Sequence, residues 1–302
     1  ILGTKSPDLN NSNLRIGKSD WLVIEACEHM ANMLHIIPNI AVITNIEEDH
    51  LDFYRDLDHI TQTFQKWIDQ MGVCGKTILN TTDKNSMTLN TTDPALFKVD
   101  DRTIDKGVQS FDVAGVPVEL TIPGTFNAQN AAAALTAAHL AGVQDDHALS
   151  SLKSFKGTWR RFEHIGKWKK ADIYSDYAHH PTAVQGSIAA FKEFFPNRRL
   201  VIVFQPHQHS RTHELFDEFA ESFTEADVVI MNKIYEVAGR TEEKFESSQD
   251  LVDAITLHGH KNVMHAKDLQ DAQKQLEELV QPNDIIVIMG AGNIDSLARE
   301  LV

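Results

Sequence analysis

The feature that most constrains this chain is a set of short apolar runs with no polar alternation. They lie at residues 21–25 (WLVIE), 40–44 (IAVIT), 200–204 (LVIVF), 227–231 (DVVIM) and 284–289 (DIIVIM). Each is rich in Val and Ile and too short for a core helix. A strand that is apolar on both sides must be covered on both sides, which is the situation of a parallel sheet between helical layers.

Helical patterns fill the intervals. Ile60, Phe64, Trp67, Ile68 and Met71 mark one face of a helix after Asp58. Residues 127–140 are alanine-rich, with Gly142 placed to stop a helix. Leu215, Phe216, Phe219 and Phe223 form another stripe, as do Leu269, Ala272, Leu276 and Leu279. Strands alternating with such helices predict βαβ units and an α/β, doubly wound architecture. Residues 116–122 (VPVELTI) do alternate, and follow Ala114-Gly115, so they predict a small antiparallel hairpin sheet. The alanine-rich helix and its follower end near Phe155-Lys156-Gly157, where a fresh strand-helix series begins. Two domains are therefore expected, 1–156 and 157–302.

Bulk properties exclude several classes. A net charge of −15 opposes a general nucleic-acid binder, which needs a basic surface to neutralise phosphates. An anionic substrate must then be held by local cations. No stretch approaches the roughly 20 apolar residues of a membrane helix, so no membrane insertion is expected. The two cysteines, Cys27 and Cys74, are far apart, which suits a reducing cytoplasm better than a disulfide scaffold. The chain opens on Ile1 in mid-pattern, as a piece of a longer protein would.

Polar motifs cluster directly after the runs, where doubly wound folds collect their ligands. Residues 25–29 (EACEH) offer Glu25, a hard oxygen donor for Mg²⁺, although a capping or solvated Glu is the plainer reading of that motif alone. Residues 44–52 (TNIEEDHLD) bring His50. Asn127 and Asn130 are three apart and share a helical face; two amides can read the edge of adenine, or simply cap the helix. Arg160 and Arg161, at the expected boundary, suit phosphate or a surface hinge. Residues 176–182 (DYAHHPT) place Asp176, Tyr177 and His179 after another strand, with Thr182 as the expected helix cap. Residues 205–212 (QPHQHSRT) bring His207 and Arg211, both suited to an anion, to a strand end. Residues 290–293 (GAGN) read first as a tight strand-to-helix turn.

In this order, these motifs resemble those of the Mur ligases, over nearly the whole chain. Residues 176–182 and 204–212 (FQPHQHSRT) are the most specific, and resemble the L-alanine-adding members. The resemblance implies a central Mur-ligase-type domain, mostly parallel sheet with a small antiparallel hairpin sheet, followed by a Rossmann-like domain. The first would bind ATP and the second the amino acid and substrate. It implies phosphorylation of the lactyl carboxylate of UDP-N-acetylmuramate by ATP, with Mg²⁺, then attack by the amine of L-alanine on the acyl phosphate. It further implies Glu25 and His50 as Mg²⁺ ligands, Asn127 and Asn130 as the adenine pair, and Arg161 and Asp176 as residues closing on the nucleotide. Tyr177, His179, His207 and Arg211 would lie near the muramoyl carboxylate and the incoming alanine, with His179, His207 and Arg211 acting in the chemistry.

Departures are visible. The family's G-T-x-G-K-T-T phosphate loop does not occur; Gly3-Thr4-Lys5-Ser6 lacks the spaced glycine and the preceding strand. Phe126 stands where relatives often have His, and Gln208 where a basic residue can occur. The 302 residues alone are therefore expected not to ligate, while an intact parent protein would. The alternatives are a Mur-type ligase with a different acceptor, of the tripeptide-recycling or polyglutamate kind, and a non-catalytic nucleotide- or partner-binding remnant.

Overall fold

The apolar run at 40–43 becomes β1 (Ile40–Ile43), which pairs in parallel with β2 (Lys76–Asn80); β2 pairs in parallel with β3 (Ala95–Phe97). These strands belong to the first of two compact units, Ile1–Lys156 and Gly157–Val302. The computed structural model describes residues 1–51, 53–236 and 245–302. Asp52, in the motif that carries His50, lies outside the described residues.

Helix α1 (Leu57–Asp69) starts where the Asp56 carboxylate accepts the His59 backbone N–H at 2.8 Å, an N-cap that satisfies an orphan donor. Its buried residues Ile60, Trp67 and Ile68 pack on Met33, Ala41, Ile43 and Leu79. The Trp67 indole N–H donates to the Ile36 carbonyl at 2.8 Å, so its burial leaves no unsatisfied donor. An antiparallel sheet follows, made of β4 (Asp100–Asp105), β5 (Val108–Val113) and β6 (Val116–Leu120). Ala114 (φ 53°) and Gly115 (φ 86°) turn β5 into β6, as a primed two-residue hairpin requires. Helix α2 (Thr125–Leu140) packs Ala128, Ala131, Ala132 and Leu135 against Ile78 and Phe97 of the parallel sheet and Phe111 and Val118 of the antiparallel one. Alanines make this possible because one helix must approach two sheets closely. Helix α3 (Asp145–Ser154) completes the unit.

The expected buried strand at 21–25 is not one. Trp21, Leu22, Val23 and Ile24 are 49%, 69%, 76% and 37% exposed, in no strand. Ile1 and Gly3 bond to the segment: the Ile1 N-terminus donates to Val23 O (2.7 Å), its carbonyl accepts from Glu25 N (2.9 Å), and Gly3 N donates to the Glu25 carboxylate (2.7 Å). Apolar, β-branched sequence supplies strand propensity, but pairing requires a neighbouring backbone.

In the second unit, β7 (Glu163–Trp168) runs antiparallel to β8 (Ala171–Asp176) at one edge of a six-stranded sheet. The remaining strands are parallel: β9 (Leu200–Phe204), β10 (Val228–Asn232), β11 (Val263–Ala266) and β12 (Ile285–Met289), in the order β11-β10-β9-β12-β8-β7. Strand β12 sits between β8 and β9 and is buried throughout. Its Ile285, Val287 and Met289 face the core built with α4 (Pro181–Phe194), α6 (Phe216–Glu221) and α7 (Ser248–Leu257). Its Ile286 and Ile288 face the opposite core, built with α8 (Leu269–Leu279) and α9 (Asp295–Glu300). Both faces are covered, which is why the run carries no polar alternation. Helix α4 begins at Pro181 with His180 in the cap position, two residues earlier than a Thr182 cap predicts; Pro is pre-organised for the first helical position. Among the described residues, no helix is long and apolar enough to cross a membrane.

Candidate functional site

In the first unit the chemistry gathers after β1. His50 takes a left-handed conformation (φ 55°), with Asp49 accepting its backbone N–H at 2.6 Å. Its Nε2 lies 3.2 Å from a Glu28 carboxylate oxygen, and its ring packs 4.6 Å from that of His29. Buried Tyr54 donates its hydroxyl to the Glu28 carbonyl at 2.5 Å, fixing the backbone behind the carboxylate. Asp83 holds the loop ahead of His50 by accepting from Ile46 N (3.1 Å) and Ser86 N (2.8 Å). The hydrogen bond from His50 pulls Glu28 below its ordinary value of 4.5, against the upward push of burial. Glu28 is thus kept ionised at neutral pH.

Of the two glutamates in EACEH, Glu28 is the one hydrogen-bonded to His50. Glu25 instead accepts the Gly3 backbone N–H at 2.7 Å. Glu28 follows one helical turn's worth of residues later, and the sharp bend at Met30 and Ala31, both with positive φ, carries the chain away behind it. Among the described residues no cluster of three or more His, Cys, Asp or Glu side chains could hold a metal by itself. A hard cation that keeps several waters and takes other oxygens from substrate phosphates needs only one or two protein ligands, so an ionised Glu28 fits Mg²⁺.

The amides Asn127 and Asn130 lie in the first turns of α2. Asn127 Nδ2 donates to the Pro123 carbonyl at 2.6 Å, which leaves its carbonyl oxygen for another partner; Asn130 is exposed.

In the second unit the candidates stand at the carboxyl ends of β8, β9, β10 and β12. Arg160 and Arg161 have different fates. Arg160 is 5% exposed, and its guanidinium donates to the carbonyls of Gly290, Ala291 (3.5 Å) and Gly292 (3.2 Å). Burial lowers its pKa from the usual arginine value and Asp295, 3.9 Å away, opposes the shift. Arg160 therefore builds the turn after β12. Arg161 is exposed and lies over the Tyr177 ring at 5.1 Å. Asp176 is buried, with one oxygen accepting Phe162 N and the other Ala178 N, each at 2.9 Å. It clamps the turn carrying both arginines to the end of β8 and acts on any ligand through that turn. Burial pushes its carboxyl upward, and the two amide donors pull the other way.

Four rings stand in a row across three strand ends. Tyr177 and His179, after β8, are 5.0 Å apart; His179 and His207, after β9, are 6.0 Å apart; His207 and Tyr235, after β10, are 5.5 Å apart and nearly parallel. His179 Nδ1 lies 2.9 Å from the Tyr177 carbonyl. Arg211 is buried on the short helix α5 (His209–Glu214) that follows His207. Beneath the row, Gln205 donates to the Asn293 side chain at 3.2 Å, tying the loop after β9 to the turn after β12. The sequence-predicted Tyr177, His179, His207 and Arg211 thus all follow the carboxyl ends of β8 and β9 in one sheet. Sequence reasoning misses Tyr235 and Glu28, both polar residues just past an apolar run; it pairs Arg160 with Arg161 as suited to phosphate or a hinge, and the structure turns Arg160 to the carbonyls after β12.

The fold and these strand-end clusters define a two-unit α/β protein, and the chain belongs to the Mur ligase family. Residues 8–138 match the Mur ligase middle domain, and residues 160–292 match the Mur ligase, glutamate ligase domain. The chain is 38% identical to a UDP-N-acetylmuramate–L-alanine ligase of Caldanaerobacter subterraneus subsp. tengcongensis, over 98% of this chain and 67% of that protein. It is 34% identical to the enzyme of the same name from Desulfotalea psychrophila, over 97% of this chain and 67% of the relative. The chain spans about two-thirds of the length of these curated relatives. Among solved structures, the UDP-N-acetylmuramate-alanine ligase of Thermotoga maritima matches with a TM-score of 0.70 at 23% identity, covering 89% of this chain and 60% of that one. The MurF ligase of Thermotoga maritima in complex with ADP matches with a TM-score of 0.69 at 19% identity, over 90% of this chain and 64% of that chain.

Proposed function

We propose that this chain is the middle and C-terminal part of a cytoplasmic ligase that joins L-alanine to UDP-N-acetylmuramate, using ATP and Mg²⁺, in peptidoglycan precursor synthesis. The observation that carries the reading is the 38% identity, over 98% of the chain, to an enzyme of that name. The strand-end cations supply the chemistry such a reaction needs. A lactyl carboxylate oxygen attacks the γ-phosphorus of ATP and ADP leaves. The alanine amine, having lost a proton, then attacks the acyl carbon; the bond from acyl carbon to phosphate oxygen breaks and an amide remains. Both steps develop negative charge on phosphoryl and acyl oxygens, which preorganised donors stabilise.

In this reading Glu28 holds the Mg²⁺, oriented by His50, in the place that the sequence assigned to Glu25. When bound, the ion would supply positive charge against the phosphate oxygens. Asn127 and Asn130 read the adenine, and Arg161, set by the Asp176 clamp, covers the nucleotide. Arg211, His207 and His179 receive the substrate carboxylate and align the amine, with Tyr177 packed beside His179. The first unit is the ATP-binding domain and the second the amino-acid and substrate domain.

The test is a panel of amino acids and acceptors offered to the intact protein with ATP and Mg²⁺. Phosphate release that requires both L-alanine and UDP-N-acetylmuramate is expected. Release that follows a tripeptide or glutamate acceptor instead, or no amide product with any of them, refutes the assignment. The 302-residue chain alone, with no G-x-x-x-x-G-K-[ST] loop, is expected to give no turnover.

A further inference from the structure

We infer that Tyr235 is a positioning residue that sets the plane of His207, and that Gly292 is the surface against which Tyr235 is held. The inference rests on the reading of His207 as a substrate-facing group. Three independent contacts converge on Tyr235. Its backbone bridges the loop after β9 on both sides of His207: Tyr235 N donates to Pro206 O at 2.8 Å, and Tyr235 O accepts from Gln208 N at 3.1 Å. Its ring stacks on the His207 imidazole, centroids 5.5 Å apart and planes 15° apart. The turn after β12 packs against the same ring, since a Cβ on Gly292 would lie 2.7 Å from Tyr235 Cγ.

A half-buried imidazole on a loop ordinarily samples more than one rotamer. Here the ring has a parallel aromatic wall in Tyr235 and a second, edge-on neighbour in the ring of His179, 6.0 Å away. The backbone bridge fixes the height of the wall and Gly292 fixes its distance. The Gly292 carbonyl is in turn bonded to Arg160, so the wall rests on a turn that is itself anchored. Tyr235 touches no reacting atom in this account; it acts through His207. The stack needs the flat ring and not the hydroxyl, which separates Phe from Leu as replacements. Displacing a group that aligns a substrate by about 1 Å can cost up to a hundredfold.

The experiment uses the intact ligase with histidine-selective isotope labelling, in the variants Tyr235→Phe, Tyr235→Leu, Gly292→Ala and, as reference, His207→Ala. Tyr235→Phe is expected to keep the His207 imidazole signal and the KM for the amino acid within about twofold of the parent. Tyr235→Leu is expected to move the His207 signal and raise that KM on the order of tenfold or more, with the KM for ATP within about twofold. Gly292→Ala, whose new methyl meets both the Gln205 side-chain oxygen (2.5 Å) and the Tyr235 ring (2.7 Å), is expected to follow Leu. If His207→Ala itself leaves the amino-acid KM unchanged, the reading of His207 fails. If His207→Ala raises it while Tyr235→Leu and Gly292→Ala leave both the signal and the KM at parent values, the positioning role of Tyr235 alone is overturned. A Tyr235→Phe variant as impaired as Tyr235→Leu overturns it equally.

Discussion

Replacing Arg160 by Ala tests whether the turn after β12 is built by one buried guanidinium. Arg160 donates to three consecutive carbonyls, those of Gly290, Ala291 and Gly292, and stands 3.9 Å from Asp295. Gly290 is buried, so its carbonyl would lose its partner without gaining bulk water. Hydrogen bonds from a charged donor contribute about 1.5–3 kcal/mol each, and removing one member of a buried charged set costs about 3–5 kcal/mol. Part of this is offset, because the arginine no longer has to be desolvated. A net loss of about 3 kcal/mol is the expectation for the second unit. For a unit of this size that is a fall in Tm of roughly 6–12 °C. Calorimetry on Arg160→Ala beside Arg161→Ala is the assay. Arg161 is exposed on the same turn and its loss should shift the second unit by less than about 1 kcal/mol. Arg160→Lys should recover less than half, because an ammonium cannot fork across three carbonyls. An Arg160→Ala variant as stable as Arg161→Ala would refute the reasoning.

Three further outcomes follow from packing and charge. Gly290→Ala places a Cβ 2.6 Å from the Gln205 carbonyl at a φ of 142°, so backbone must move; denaturant titration should show a loss of about 1–3 kcal/mol. Phe191→Ala removes a ring that is 1% exposed and stacked 3.7 Å from Phe162, and should cost the second unit about 3–5 kcal/mol in the same measurement. Glu28 has its folded pKa depressed, chiefly by the His50 hydrogen bond, so its contribution is complete above the unfolded value of 4.5 and is lost as pH falls through the lower folded value. Glu28→Gln should therefore flatten the acid side of a stability-against-pH curve below about pH 4.5, and an unchanged slope there would sink that assignment.

Much of the fold was legible in the sequence, and the exceptions have physical causes. The runs at 200–204, 227–231 and 284–289 announce themselves because a strand covered on both faces has nowhere to put a polar side chain. The alternating 116–120 segment reads as half-exposed for the converse reason, and forms β6 in an antiparallel sheet. The run at 21–25 has the same composition as the true strands, yet stands exposed, because periodicity reports what a segment can pair with and not whether a partner is beside it. The sequence placed the polar motifs at strand ends, but not which carboxylate of EACEH meets His50; that depends on the bend at Met30 and Ala31, which no periodicity encodes. Likewise two adjacent arginines look alike as letters. Only the position of the turn after β12, more than a hundred residues on, makes Arg160 structural and leaves Arg161 at the surface.

The most direct test of the central claim follows an oxygen atom. UDP-N-acetylmuramate labelled with ¹⁸O in its lactyl carboxylate is given to the intact protein with ATP, Mg²⁺ and L-alanine, and the released phosphate is weighed by mass spectrometry. Reaction through an acyl phosphate transfers one carboxylate oxygen to phosphorus, so the phosphate should carry one ¹⁸O for each amide formed. Unlabelled phosphate, or phosphate released without amide, would contradict the account.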